Sequence, residues 1–160
     1  MKSQSLRLCV FAGIIASASL AQVQAAEIKV SGTVTYANAP SSSADSTKLP
    51  DGSTMVRFYQ KGVIVDKDPA SPLNLNAQDC YGMVIVAADG KSAPGAGGCD
   101  AVDKDGNRWS MWWVTTDVDR WGVTYGTGKF AGMTGGGTTK TLLQLDDRST
   151  ITYEGTLNMK

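Results

Sequence analysis

From Ile28 onward the sequence alternates between apolar and polar residues. Ile28, Val30, Val34 and Tyr36 are interleaved with Lys29, Ser31, Thr33 and Thr35, the period of a strand with one covered and one wetted face. No long apolar stripe of helical period follows, so sheet must carry the fold. Further strands are expected over 55–60 and 63–65, joined around Lys61-Gly62, and over 81–88, 107–115, 120–125, 138–145 and 149–157. The 81–88 run is nearly continuous in apolar residues and reads as a fully covered strand. Asp89-Gly90, Asp105-Gly106 and Asp146-Asp147 supply the turn chemistry between runs. Eight strand candidates with short connections predict an all-β, eight-stranded antiparallel up-and-down barrel, because closure removes exposed edges. A β-sandwich is the alternative. Two connections are longer. The stretch 38–52 is rich in Ser, Ala and Pro and reads as flexible, and 66–79, with Pro69 and Pro72, is expected to pack across a barrel end.

The first residues follow another logic. Lys2 and Arg7 precede an uncharged, largely apolar run over 8–20, and Val23-Gln24-Ala25 places small residues at the −3 and −1 positions of a cleavage site. This is the pattern of a secretory signal, too short for a membrane span. The expectation is a signal peptide over 1–25 and a single β-barrel domain over 26–160, exported to a periplasmic or secreted location, with no membrane attachment after cleavage. Cys9 lies inside the apolar run and no lipobox cysteine stands at the cleavage point, so a lipid anchor is not expected. The whole chain has 15 basic and 15 acidic residues, and losing Lys2 and Arg7 leaves 13 against 15, a net charge of −2. That balance argues against a nucleic-acid partner, because phosphate binding needs a basic footprint.

Cys80 and Cys99 are the two cysteines that survive processing. In an oxidising compartment the pair reads as a disulfide, worth roughly 3 kcal/mol for a loop of this length. A reactive thiol would need an activating base, and the chain has 0 histidines. The same lack leaves zinc or copper little to bind. Asp103-Lys104-Asp105-Gly106-Asn107 invites comparison with a calcium loop, but position 114, where the closing glutamate would stand, is Val114. A β-turn is expected there, with no metal and no cofactor.

Residues 126–137 read Gly126-Thr127-Gly128-Lys129-Phe130-Ala131-Gly132-Met133-Thr134-Gly135-Gly136-Gly137. Physically this is a strand end, a tight turn demanding positive φ, an aromatic anchor and a glycine-eased bend. A phosphate loop needs Ser or Thr after Gly-Lys at the start of a helix, and here Gly128-Lys129 runs into Phe130. The spacing of Gly126, Thr127, Gly128, Phe130, Gly132 and Gly135 resembles the corner motif of the allene oxide cyclase and dirigent barrels. That resemblance implies a calycin-like, eight-stranded up-and-down barrel with a hydrophobic cavity. Neither the cyclase's catalytic residues nor the dirigent acidic pair matches a position in this chain, so the resemblance carries no site residue.

Four tryptophans, Trp109, Trp112, Trp113 and Trp121, fall close together. Alternation puts Trp109, Met111 and Trp113 on one face of their strand and Arg108, Ser110 and Trp112 on the other. Aromatic residues around a concavity suit a small hydrophobic or aromatic molecule, and equally they fill a small barrel. The candidate ligand-binding residues are Trp109, Trp113, Tyr59, Trp121 and Tyr125. The candidate catalytic residues are Asp117 and Asp119, in a connection at a barrel mouth, and Arg57 and Glu154 if they face inward. A carboxylate beside an apolar cavity could act as acid or base, and an inward arginine could hold a substrate carboxylate. The expected function is binding of a small hydrophobic or aromatic molecule by an exported barrel. The sequence leaves open whether it acts as a cofactor-free isomerase or cyclase or as a non-catalytic binding or structural interaction module, and whether it oligomerises.

Overall fold

The structure, a computed structural model, describes residues 26–38, 45–90, 92–145 and 148–160. The expected signal over 1–25, the Asp146-Asp147 turn and residues 39–44 of the Ser/Ala/Pro-rich connection lie outside the described residues. Among the described residues nine strands follow in order: β1 Ala26–Asn38, β2 Asp45–Lys48, β3 Thr54–Asp66, β4 Ala77–Val86, β5 Ser92–Val102, β6 Arg108–Thr115, β7 Arg120–Gly126, β8 Thr134–Gln144 and β9 Arg148–Met159. Between β7 and β8 lies a 3-10 turn, Gly128–Phe130. Each strand from β3 to β9 pairs antiparallel with the next, β9 pairs with β1, and β1 pairs with β3 over Gly32↔Asp66 to Asn38↔Gln60. The sheet therefore closes as an eight-stranded antiparallel barrel, with β2 added outside the ring along the start of β3.

The count of eight was right through two compensating differences. Segments 55–60 and 63–65 form one 13-residue strand; Lys61-Gly62 looked like a turn, but Gly62 sits mid-strand because the Tyr36 ring of β1 occupies the space a side chain would need. In return, β5 was missed. Its sequence SAPGAGGCDAV has no apolar alternation, because Trp113 of β6 lies across Gly82 and Gly97 and fills the wall there. The 81–88 run is not covered on both faces: Tyr81 and Met83 point outward and are exposed. Part of the 38–52 connection is also ordered, as β2.

Antiparallel order sends the β3–β4, β5–β6 and β7–β8 connections to one end of the barrel and the β4–β5, β6–β7 and β8–β9 connections to the other. The first end is sealed. Segment 67–76 packs across it as expected, inserting Leu73 beside the buried Trp109, Phe130 and Leu157. Asn76 fastens this lid: its side-chain amide donates to the carbonyls of Pro72 and Asn74, and its Oδ1 accepts the Trp109 indole N–H at 2.9 Å. Tyr153 donates to Asp66 at 2.7 Å where β3 ends.

The glycine-rich corner seals the same end. Gly126 closes β7, Gly128 and Gly132 take φ of 56° and 72°, and Phe130, 0 % exposed, is driven between them against Trp109. An L-residue at Gly128 would suffer both the positive φ and collision with Asn107. Lys129, far from any phosphate role, reaches Asp103 at 2.9 Å and ties the corner to the β5–β6 turn. Asp103 takes two backbone N–H bonds, from Asp105 and Asn107, and one from the Asn107 side chain. Its oxygens are thus occupied by protein donors in a β-turn, as the sequence suggested.

Candidate ligand-binding cavity

Inside the ring lies a cavity of about 910 Å3, within the range that holds a small organic molecule. Strand parity decides its lining. Trp109, Met111 and Trp113 of β6 point inward, and Trp112 points out, as alternation required. Trp121 joins them from β7, directly opposite Trp113. From β3, Phe58 stacks on Trp113 with ring centroids 5.6 Å apart and planes 24° apart. Tyr153 of β9 meets Trp121 edge-on at 6.3 Å. These rings form an aromatic wall with polarisable faces toward the lumen.

Polar groups interrupt the wall at defined places. Tyr36 donates to Gln78 Oε1 at 2.7 Å in the interior, and its hydroxyl lies 3.4 Å from Cys80 Sγ. Burial pushes the Tyr36 phenol well above its usual value, and burial together with the bond to Asp66 does the same to Tyr153. Both stay protonated, with their protons already committed to Gln78 and Asp66, so neither is a base. Two buried polar atoms have no partner among the described residues, Trp121 Nε1 and Thr115 Oγ1, and both residues line this cavity. At the open end, the β6–β7 connection brings Asp117 and Asp119 to the rim. No lysine or arginine is among the described lining residues.

The disulfide Cys80–Cys99 joins β4 to β5 at directly opposed positions with Cα atoms 4.1 Å apart, and both cysteines face the lumen. Among the described residues no group of acidic, cysteine or histidine side chains could hold a metal ion, and no helix is long and apolar enough to cross a membrane.

Four of the expected site residues stand elsewhere. Phe58 faces in, so its neighbours Arg57 and Tyr59 face out, and Arg57 pairs with Asp45 of β2 at 2.9 Å on the outer wall. The run Met55-Val56-Arg57-Phe58-Tyr59-Gln60 offered two apolar phases, and the one chosen was the wrong one. Glu154 lies between the inward Tyr153 and Gly155 and faces outward beside Thr138. Tyr125 shares parity with Trp121 in sequence, but Thr124 is an extra residue in the β6–β7 ladder, where the register steps from Met111↔Val123 to Ser110↔Tyr125. That bulge turns Tyr125 outward, where it is 62 % exposed. Sequence reasoning in turn missed Phe58, Tyr36, Gln78 and Tyr153. Tyr36 was legible on the covered face of the first strand, whereas Gln78 lay outside every expected strand.

No protein-family model matches the chain, and no curated protein matches it in sequence. Among solved structures, the pterocarpan synthase dirigent protein GePTS1 aligns over 94 % of this chain and 99 % of its own, with a TM-score of 0.52 and 13 % identity. The pterocarpan synthase dirigent protein PsPTS1 aligns over 85 % and 97 %, with the same TM-score and identity. At this identity the likeness concerns the backbone. The closed eight-stranded ring and the sealed glycine corner, together with these matches, make this chain a barrel of the dirigent-like fold.

Proposed function

We propose that this barrel binds a small aromatic molecule in its lumen and orients it, entering from the rim that carries Asp117 and Asp119. The observation that carries the reading is the cavity of about 910 Å3 walled by Trp109, Trp113, Trp121 and Phe58, sealed at one end and open at the other. The fold is shared with proteins described as pterocarpan synthases, which favours an oxygenated aromatic guest. Two rim carboxylates and no lining cation favour a neutral guest over a carboxylate.

A catalytic version of this reading is restricted by the same geometry. Arg57 and Glu154 are on the outer wall, and the two lumenal phenols hold their protons, so Asp117 and Asp119 are the remaining candidates for moving a proton. Turnover would then rest on holding the substrate in a folded conformation, as an isomerase or cyclase does, with proton transfer confined to the rim. A purely passive binder is the second reading, and it is favoured by the absence of a free base deep among the described lining residues. The disulfide supports an oxidising, extracytoplasmic location, and with the expected signal over 1–25 we propose export.

Titration with 2-naphthol, read by tryptophan fluorescence, tests the proposal. Trp109→Phe and Trp113→Phe should each reduce the response, and Trp112→Phe should leave it intact. A response that depends on Trp112 alone, or 2-naphthoate binding as well as 2-naphthol, would defeat it.

A further inference from the structure

The lumen has two unlike sides. From β3 to β6 one row of inward positions reads Phe58, Gly82, Gly97 and Trp113, each directly opposite the next. With no side chain from β4 or β5 in that row, the Trp113 indole lies over both glycines and stacks on Phe58, so one aromatic panel spans four strands. Toward the mouth from this panel stand Val56 and Val84, directly opposite each other, and Pro94. The other side is built from β8 and β9. Parity there turns Thr139, Thr141 and Gln144 inward, opposite the lumenal Tyr153, Ile151 and Ser149. The β6–β7 connection is fastened to this side: the Thr139 N–H donates to the Asp119 carbonyl at 3.1 Å, which sets Asp117 and Asp119 beside β8.

Closeness to water does not account for the contrast. Val56, Val84 and Pro94 each stand third from the mouth end of their strands, and Gln144 and Thr141 stand first and fourth from the mouth end of β8. Residues at the same end thus differ in chemistry by side rather than by depth. The polar side is also rich in acceptors. Carboxylates accept only, and threonine hydroxyls accept as well as donate. Gln144 commits an amide N–H to the Leu145 carbonyl at 3.1 Å, and its Oε1 is an acceptor. An eight-stranded ring leaves an interior about wide enough for one small guest, so a single molecule meets both sides at once.

We infer that the guest is an uncharged aromatic molecule with hydroxyl groups along one edge, as in a catechol. Its bare C–H edge meets the face of the Phe58–Trp113 panel, the edge-to-face arrangement that the ring quadrupoles favour. The opposite edge then points to β8, where its hydroxyls donate to Thr139, Thr141, Gln144 Oε1 and the Asp117 and Asp119 carboxylates. These residues select hydroxyls over ethers, since a methylated oxygen has no proton to give and leaves the acceptors unpaired. This selectivity rests on the lumenal binding proposed above, and adds which groups the guest must carry and which residues read them.

Isothermal titration calorimetry with 2,3-dihydroxynaphthalene and its ether 2,3-dimethoxynaphthalene tests the selectivity, at a mildly acidic pH where the diol stays uncharged. We expect the diol to bind at least tenfold tighter than the diether. Thr139→Val with Thr141→Val removes two hydroxyls at nearly constant shape and should bring the ratio below threefold. Thr150→Val, whose hydroxyl faces Thr35 on the outer wall, should leave the ratio where it was. Should the double variant fail to fold, nuclear Overhauser contacts in the wild-type complex decide instead. They are expected between the unsubstituted ring of the diol and Trp113, and between the protons flanking its hydroxyls and the Thr139 and Thr141 methyl groups. Equal affinities in the wild type, a preference that survives in the double variant, or contacts in the reverse sense would overturn the selectivity and leave lumenal binding standing. Binding of neither compound would remove lumenal binding and the selectivity with it.

Discussion

At the sealed end of the barrel, buried polar groups are paired with other protein groups: Trp109 with Asn76, Tyr153 with Asp66, and Asp103 with Asn107 and Lys129. Toward the mouth pairing is incomplete, although the buried Ser53 donates to Asp51 at 2.6 Å. Thr115 Oγ1, next to the β6–β7 connection, has no partner among the described residues, and Asp117 and Asp119 stand at the rim of an open lumen. Unpaired buried polarity costs stability, and a chain that tolerates it at one end must hold its shape from the other. The glycine corner, the 67–76 lid and the Asp103 turn perform that holding. The pairing that holds the barrel is thereby concentrated at the end away from the mouth.

Substitutions at the two ends should therefore have different signatures. The largest effect is expected from Phe130→Ala, which empties a fully buried ring site under Trp109. It should cost about 3–5 kcal/mol in chemical denaturation; a loss under about 1 kcal/mol would mean that the corner is not the keystone of the sealed end. Next, replacing Cys80 and Cys99 by Ser should cost about 2–4 kcal/mol, and peptide mapping without reductant should recover the two residues linked in the wild type. Free thiols at both positions would remove this contribution from the comparison.

Asp103 gives a pH-dependent contrast. Burial alone would raise its carboxyl, but bonds from Asn107, Lys129 and the Asn107 and Asp105 backbones outweigh it and hold the group well below the usual carboxylate range. Its contribution is then present above the unfolded-state value, about 4, and fades as pH falls below that toward the folded value. Thermal melting should show Asp103→Asn below the wild type at pH 7 and the gap narrowing at pH 3. A gap that widens in acid would reverse the assignment. The smallest stability effect is expected at the mouth, where Asp117→Asn with Asp119→Asn should change stability by less than about 0.5 kcal/mol. The same pair should improve retention of 2-naphthoate, read by fluorescence titration, and any turnover found should fall.

How much of this was legible depended on how each residue's face is fixed. Trp109 and Trp113 could be separated from Trp112 because β6 is regular and parity decides that split, although parity left open which of the two faces is interior. Tyr125 was missorted because a single inserted residue, Thr124, flips everything after it, and no local composition marks a bulge there. Arg57 failed for another reason: both phases of its strand carry apolar side chains, so burial pattern could not choose. The corner was readable because positive φ and a buried ring leave a glycine and phenylalanine signature. Strand β5 was not, since its packing partners lie on β6 and only the register reveals them.

The glycines beneath Trp113 have a consequence for how such a barrel could change its guest. Gly82 and Gly97 sit under the indole, and a methyl group at either would collide with it and with a backbone carbonyl, that of Ala96 at Gly82 and that of Tyr81 at Gly97. The ring would have to tip into the lumen and β4 and β5 ease apart, narrowing the cavity without any exchange among the residues that a guest touches. Selectivity by size can thus drift through the wall rather than through the binding surface. Two chains with the same lining could differ in the width of what they admit, and a designer seeking a smaller host would begin with the residue behind the ring.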